Sequence, residues 1–474
     1  MKRKRKLLIL AGVLAALCGL IALEKGITRH VDRINTVDEI ILSQAEADLT
    51  AVSWTQGDKT LAFRRGENGW SDAQDVAFPV SPELMAEFLS HFSEVHASFI
   101  IEDVADFGQY GLDSPQAIVT LTAGEEEHVL SLGGYSTMDA QRYVTLGDGT
   151  VYLVDDDLLE YITTDRDEFM MHDTVPVFDA VSELTVSGDS QLDILYDPDT
   201  VHTYTDVCDW YEISSGTYQP LKNSLVESYL TTLTSLRLTD YATYTASEED
   251  LSPYGLASPE RTYHLTGTDA DGETVNYVLC VGAVIDETAQ VEDDEEPVVN
   301  AYARFGDSDI IYHLGSATYE TLAAGTLDSF RPTEVFSLDW DEVTALSVTL
   351  EGQTYKLHSE IKEEETEEDA DRIWLLDGQE VSTFSLQSKI DALKITDFTS
   401  EGTDKTLELE LTVFLDNESY PSLTVQIYRY DGESCLVLFE GEVLGLVERS
   451  RMVDLREAMM SILLDMEDPA EAEE

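Results

Sequence analysis

Asp269-Ala270-Asp271-Gly272-Glu273 comes nearest to a metal-binding loop, because alternate carboxylates around a glycine are how calcium loops begin. An EF-hand closes with a bidentate acid at loop position twelve. Counting from Asp269, that position is Cys280, which cannot serve. Asp271-Gly272 reads instead as a hairpin turn between strands at His264–Thr266 and Val275–Leu279. Asp155-Asp156-Asp157 is also dense in carboxylate, without ligand spacing. Nine histidines are scattered, and none stands in a His-Glu-x-x-His pattern. His91 and His96 share a stretch that reads as helix, where a five-residue step turns them onto different faces. A Gly-x-Ser-x-Gly elbow, a Walker loop and a Gly-x-Gly-x-x-Gly loop are all missing. Acidic pairs are so frequent that none stands out as a glycosidase-type dyad. The expectation is therefore a non-enzyme with no catalytic, cofactor-binding or metal-ligating residues.

Charge narrows the partners. With 95 acidic against 28 basic residues the chain carries a net charge of -67, which repels nucleic-acid phosphates and anionic lipid headgroups. Nucleic acid is excluded as a partner on that ground. Acidic runs at Glu292–Glu296, Glu363–Asp371 and Glu467–Glu474 read as solvated loops and a disordered tail, with the holding of a basic partner as the weaker reading. Cys18, Cys208, Cys280 and Cys435 form no C-x-x-C and read as small buried hydrophobes, with one disulfide left open.

The N-terminus gives topology. Lys2–Lys6 are all basic and precede an apolar run from Leu7 to Leu23, which ends at Glu24-Lys25. At 1.5 Å rise per residue this run just reaches across a thin bilayer. The basic residues stay cytoplasmic, which places the rest outside. A cleaved signal peptide shares these features, but no clear A-x-A site follows the apolar run. Leu17 stands where a small residue precedes a lipidated cysteine. An uncleaved single-pass anchor over residues 7–23 is the expectation, with 1–6 cytoplasmic and 24–37 a linker.

The elements of the body repeat. Tyr110-Gly111-Leu112-Asp113-Ser114-Pro115 nearly matches Tyr254-Gly255-Leu256-Ala257-Ser258-Pro259. Upstream of each lies a helix pattern with one apolar spacing: Leu84, Met85, Phe88, Leu89, Phe92 and Val95, then Leu225, Val226, Tyr229, Leu230, Leu233 and Leu236. Ser81-Pro82 opens the first as N-cap and N1 proline, and Ser224 with Glu227 offers a capping box for the second. Trp70, Trp210 and Trp374 each precede a helix by a comparable stretch. Leu386, Ile390 and Leu393 mark a third helix that lacks the Tyr-Gly-Leu element. In its place alternation at Leu407, Leu409, Leu411, Val413 and Leu415 predicts a strand.

Strands are predicted at Thr50–Trp54, Lys59–Arg64, Gln116–Thr122, Glu127–Leu132, Arg142–Leu146 and Thr150–Val154. Tyr302–Phe305 and Ile310–Leu314 follow in the second repeat, and a turn falls at Asp431-Gly432 in the third. The fold class is α+β: three tandem repeats at 38–170, 171–330 and 331–466, the third degenerate. Each is an antiparallel sheet with one long helix, closing on a small one. The Tyr-Gly-Leu-x-x-Pro element reads as structural. Gly111 takes the left-handed conformation, Leu112 folds back, and Pro115 starts a strand.

Gly69-Trp70, Tyr110–Pro115, Tyr143-Val144-Thr145-Leu146 and Val151-Tyr152-Leu153-Val154, in this order, resemble the bacterial domain-of-unknown-function family 4340. The resemblance is best over residues 37–162, holds over the second repeat, and rests on element order in the third. Proteins of that family look like envelope proteins with an N-terminal membrane segment, some encoded beside ABC-transporter components similar to those of gliding-motility systems. The resemblance implies an accessory part of an envelope or transport complex that binds other proteins, possible subunits of an ABC transporter among them. It carries no catalytic residues. A ligand- or glycan-binding receptor is the alternative, and an envelope hydrolase the third reading.

Overall fold

A computed structural model describes residues 38–199, 201–285, 299–361, 372–402 and 404–467. The anchor expected at 7–23 with its flanks, the acidic runs at 292–296 and 363–371, and the tail beyond Glu467 lie outside the described residues. Among those described, no helix is long and apolar enough to cross a membrane. The chain divides into two compact units, one ending at Asp173 and one beginning at Thr174. The first holds one nine-stranded antiparallel sheet and the second holds two.

The first sheet is built from β1 (Glu39–Ser43), β2 (Ala51–Gln56), β3 (Lys59–Gly66), β4 (Gly69–Asp72), β5 (Glu94–Ile101), β6 (Ala117–Ala123), β7 (Glu126–Ser136), β8 (Gln141–Thr145) and β9 (Val151–Val154). Its order is β1-β5-β9-β8-β7-β6-β2-β3-β4. Helix α1 (Pro82–Ser93) joins β4 to β5. Alternation in β2 sends Val52 and Trp54 inward. There the Trp54 indole meets Phe88 at 4.3 Å, Phe169 at 5.4 Å and Phe63 at 5.6 Å between ring centres. Its Nε1 donates to the Thr163 carbonyl at 2.6 Å, so the buried indole keeps its hydrogen bond.

The second sheet comprises β10 (Ala180–Gly188), β11 (Leu192–Tyr196), β12 (Trp210–Ser214), β13 (Thr217–Leu221), β14 (Tyr241–Thr243), β15 (Arg261–Thr268), β16 (Thr274–Ile285), β17 (Val299–Phe305) and β18 (Ile311–Leu314). Helix α2 (Asn223–Thr234) follows β13, and α3 (Ser316–Ala323) and α4 (Leu327–Phe330) follow β18. The third comprises β19 (Val343–Leu350), β20 (Gln353–Ile361), β21 (Arg372–Leu376), β22 (Gln379–Val381), β23 (Ile395–Asp397), β24 (Leu407–Leu415), β25 (Ser422–Arg429), β26 (Ser434–Phe439) and β27 (Glu442–Glu448). Here α5 (Phe384–Asp391) follows β22 and α6 (Arg449–Glu467) ends the described chain.

The repeats share one plan. The strand that starts the first hairpin of each sheet pairs with the second strand after the helix: β2 with β6, β10 with β15, and β19 with β24. The strand just after the helix returns beside the last strand: β5 by β9, β14 by β18, and β23 by β27. The third sheet, β22-β21-β20-β19-β24-β25-β26-β27-β23, therefore has the strand order of the second, although its Tyr-Gly-Leu signature is gone. Burial explains the economy. Leu386, Ile390 and Leu393 are all buried in its core beside Leu409, Leu411 and Val413, so the sheet still has its helix to close against.

Several local expectations need correcting. The 3.6-residue pattern carries the first helix to Val95, but α1 stops at Ser93 and Val95 lies in β5, still buried. His91 and His96 consequently lie on different elements. His91 stacks on Tyr161 at 3.5 Å, while His96 in β5 bonds Asp38 and Glu94. Leu84 and Leu225, the first residues of the two apolar patterns, face solvent. The capping box at Ser224 and Glu227 does not form. The chain enters α2 two residues earlier, with Lys222 as N-cap, because Asn223 is held by Asp209, accepting from its N–H at 2.6 Å and donating to its carboxylate at 2.8 Å. The closing helix of the third repeat, α6, has 19 residues and is not small.

Ser81 is the N-cap of α1, accepting from Leu84 N–H at 3.3 Å ahead of Pro82. Ser81→Ala is expected to cost about 1 kcal/mol, because that N–H then lacks its partner. Urea titration of the variant checks this, and an unchanged midpoint would remove the cap from the account.

Candidate functional site

The Tyr-Gly-Leu turns are seated alike. Residues 108–110 and 252–254 each form one 3-10 turn, after which Gly111 and Gly255 have φ of 70° and 69°. Leu112 N–H reaches back to the Phe107 carbonyl and Leu256 N–H to that of Leu251, both at 3.1 Å, and both leucines are buried. Pro115 and Pro259 stand two residues before β6 and β15. Tyr110 packs its ring on Tyr143 at 4.9 Å, and Tyr254 packs on Tyr302 at 5.1 Å.

What the sequence did not disclose is the second glycine under each turn. A Cβ on Gly133 would lie 2.5 Å from the Tyr110 carbonyl oxygen, and one on Gly282 would lie 2.3 Å from that of Tyr254. Turn and strand thus meet backbone to backbone. The two partner glycines follow their turns at different distances, 22 residues in one repeat and 27 in the other, so no fixed spacing announces them.

The three tryptophans are not equivalent. Trp210 and Trp374 are buried in their sheets, while Trp70 is half-buried on the edge strand β4 with the Arg65 guanidinium 5.9 Å from its ring centre. Trp54 takes the core position in the first sheet.

Charged groups are tied into the framework. Arg142, buried on β8, forks onto both oxygens of Asp157, Nη2 lying 2.8 Å from Oδ2, and donates to the Gly133 carbonyl at 2.6 Å and to Gln116 at 3.0 Å. The guanidinium holds the Asp157 carboxyl below the usual carboxylate range. Asp155 accepts from Gln141. The Asp155–Asp157 run is therefore an anchor for β8. The Asp269 carboxylate accepts from the N–H groups of Asp271 and Glu273, which makes that stretch the turn between β15 and β16. Among the described residues no group of three or more His, Cys, Asp or Glu is placed to hold a metal ion. Cys208, Cys280 and Cys435 are free thiols, and burial pushes Cys208 and Cys435 up to about 11, far from the reactive thiolate.

Within the second compact unit the two sheets are bolted together. Tyr204, in the β11–β12 connection, accepts from Ser337 N–H at 3.1 Å and packs near Tyr420 and Phe439. Burial pushes its phenol up to about 12. Lys222 reaches both oxygens of Glu334 at 3.1 Å, and Lys394 reaches one at 3.4 Å. The Arg331 guanidinium lies 3.9 Å from the centre of the Phe398 ring.

Two open grooves flank β21 and β22 of the third sheet. One, of about 650 Å³, is lined by Trp340, Arg372, Trp374, Val381, Phe384 and Gln387. The other, of about 620 Å³, is lined by Tyr355, Leu376, Asp377, Met460, Leu464 and Met466. Phe384 is 80% exposed and Leu464 61%. Both linings mix apolar side chains with polar and charged ones, Lys356 and Asp377 in one and Asp341, Arg372 and Glu380 in the other.

Comparison with known proteins comes down to one family. The model of the family described as domain of unknown function (DUF4340) matches residues 70–259 and again 210–411. The chain belongs to the DUF4340 family. The two matches begin at Trp70 and Trp210 and overlap, so a DUF4340 match runs from the tryptophan strand of one sheet into the next sheet. The first closes on Pro259, the end of the second Tyr-Gly-Leu turn, and the second closes inside β24. No curated protein and no solved structure matches.

Proposed function

We propose that this DUF4340 protein is a non-enzymatic, membrane-tethered extracytoplasmic component that works by binding other proteins, as an accessory of an envelope assembly such as an ABC transporter. The observation that carries the reading is the pair of grooves around β21 and β22. They expose Phe384, Met460 and Leu464 on a protein of net charge -67. Clustered apolar exposure of this kind marks binding surfaces more often than catalytic ones. The tether rests on the apolar run at 7–23 behind Lys2–Lys6. The partly buried Trp340 in one groove favours a second reading, a glycan receptor, since an indole face stacks on a sugar ring.

The test is affinity purification of the full-length protein from its native membrane in detergent, followed by mass spectrometry. Transporter subunits should accompany the wild type and be lost with Phe384→Glu plus Leu464→Glu, which are surface changes of small cost to stability. A protein that purifies alone would overturn the accessory reading and move the weight to glycan binding.

A further inference from the structure

Each sheet closes, after its helix, on one strand: β5, β14 or β23. In the first sheet that strand is not the edge. β1 lies outside it, antiparallel, with Leu42 opposite Val95, and Leu42 is buried. In the third sheet the same place is taken by Thr333–Val335. Glu334 bridges to Lys394, Val335 N–H donates to the Leu393 carbonyl at 3.0 Å, and Ile395 N–H donates to that of Thr333 at 2.7 Å. Val335 is buried as Leu42 is. Both fillers end eight positions before the strand that starts the first hairpin, Ser43 before Ala51 in β2 and Val335 before Val343 in β19.

The second sheet has no such filler among the described residues. The stretch that would supply it ahead of β10, around Met170 and Met171, is engaged in the first compact unit. There Met170 bridges to Val80, and Met171 N–H donates to the Pro79 carbonyl at 2.7 Å. What stays uncovered is Leu236–Asp240, just after α2. It already has strand character, for Leu238 is buried between exposed Arg237 and Thr239. The Asp240 carbonyl accepts from His313 N–H at 2.9 Å, on the inner side. In an antiparallel ladder the backbone groups of successive residues point to opposite sides, so those of Thr239 point outward. They have no hydrogen-bond partner among the described residues.

We propose that the Leu236–Asp240 edge is a strand-acceptor site, completed by an extended segment of a partner protein. That segment lies antiparallel, with an aliphatic residue where Leu42 and Val335 sit, and with basic flanks suited to a body of net charge -67. It goes beyond the groove reading and concerns a different surface.

The probe is a labelled heptapeptide based on Asp38–Gln44 with both acids replaced by lysine, titrated into the full-length protein by fluorescence anisotropy. Saturable binding is expected, weakened at least tenfold by Thr239→Pro, which removes an outward N–H and leaves the inner ladder intact. Thr239→Lys, which keeps that N–H, should bind as wild type. If the proline variant does not fold, a peptide with its outward amides N-methylated takes its place and should bind at least tenfold more weakly. Absence of saturable binding, or binding indifferent to the blocked amide, overturns the proposal. A wild-type dimer that Thr239→Pro dissolves would overturn the partner in favour of a second copy. The groove variant Phe384→Glu with Leu464→Glu should leave peptide binding unchanged, so the two surfaces fail separately.

Discussion

Arg142→Met is expected to destabilise the first compact unit by about 3 kcal/mol, because it strands the Asp157 carboxylate in a partly buried place without its partner. The figure sits at the low end for a broken buried pair since Asp157 keeps some contact with water. Arg142 also satisfies the Gly133 carbonyl, so the loss reaches the strand that seats the Tyr-Gly-Leu turn. The effect should depend on pH in one direction. Arg142 depresses the folded-state pKa of Asp157, so the pair's contribution is fully present above the unfolded aspartate value of about 3.9 and fades as pH falls through the lower folded value. Denaturant titrations of wild type and variant at neutral pH and in acid should therefore converge in acid. A gap of equal size at both would show that shape, not charge, is what the arginine supplies. Asp157→Asn added to Arg142→Met should recover part of the loss, as expected of coupled neighbours.

Gly282→Ala is the second large effect. Its methyl group would sit 2.3 Å from the Tyr254 carbonyl oxygen and 2.8 Å from the Gly255 carbonyl carbon, and neither backbone atom can yield as a flexible side chain does. Overpacking of this kind costs about 2–3 kcal/mol. Gly133→Ala should behave alike in the first sheet, with its contact at 2.5 Å from Tyr110. Gly272→Ala separates clash from backbone strain. Gly272 has φ of 79° but open space around it, so that variant should lose only about 1 kcal/mol. Thermal unfolding of all three decides the matter. Equal losses at Gly272 and Gly282 would mean that the close approach contributes nothing.

Much of this architecture was legible before any coordinates. Strands at 51–56, 59–66, 141–145 and 151–154 lie within two residues of where alternation places them. Gly111 and Gly255 are left-handed because a helical turn followed by leucine leaves few other exits. The failures share a physical origin. Apolar spacing cannot tell a helix from the buried strand that continues it, so the helical pattern runs on through Val95 and His96, which belong to β5. Asn223 displaced the expected cap through Asp209, a partner 14 residues away. Trp70 matches Trp210 and Trp374 by order but sits on an edge strand, and sequence order does not encode burial. The grooves of the third sheet need β20 to β22 and α6 brought together, which no local pattern announces.

The pairing of the strand that starts each first hairpin with a strand beyond the helix bears on how the chain reaches this state. Hairpins such as β2–β3 and β6–β7 close over a few residues and can form early. The β2–β6 ladder instead joins Ala51 to Thr122, and β10–β15 joins Gly188 to Arg261, so each sheet must close one long loop before its centre exists. Loop-closure entropy makes such contacts late, and sheets dominated by them fold in about milliseconds to seconds. Every sheet is thus assembled as two meanders that dock along a central seam, and register at that seam is the slow decision of folding, taken three times in one chain.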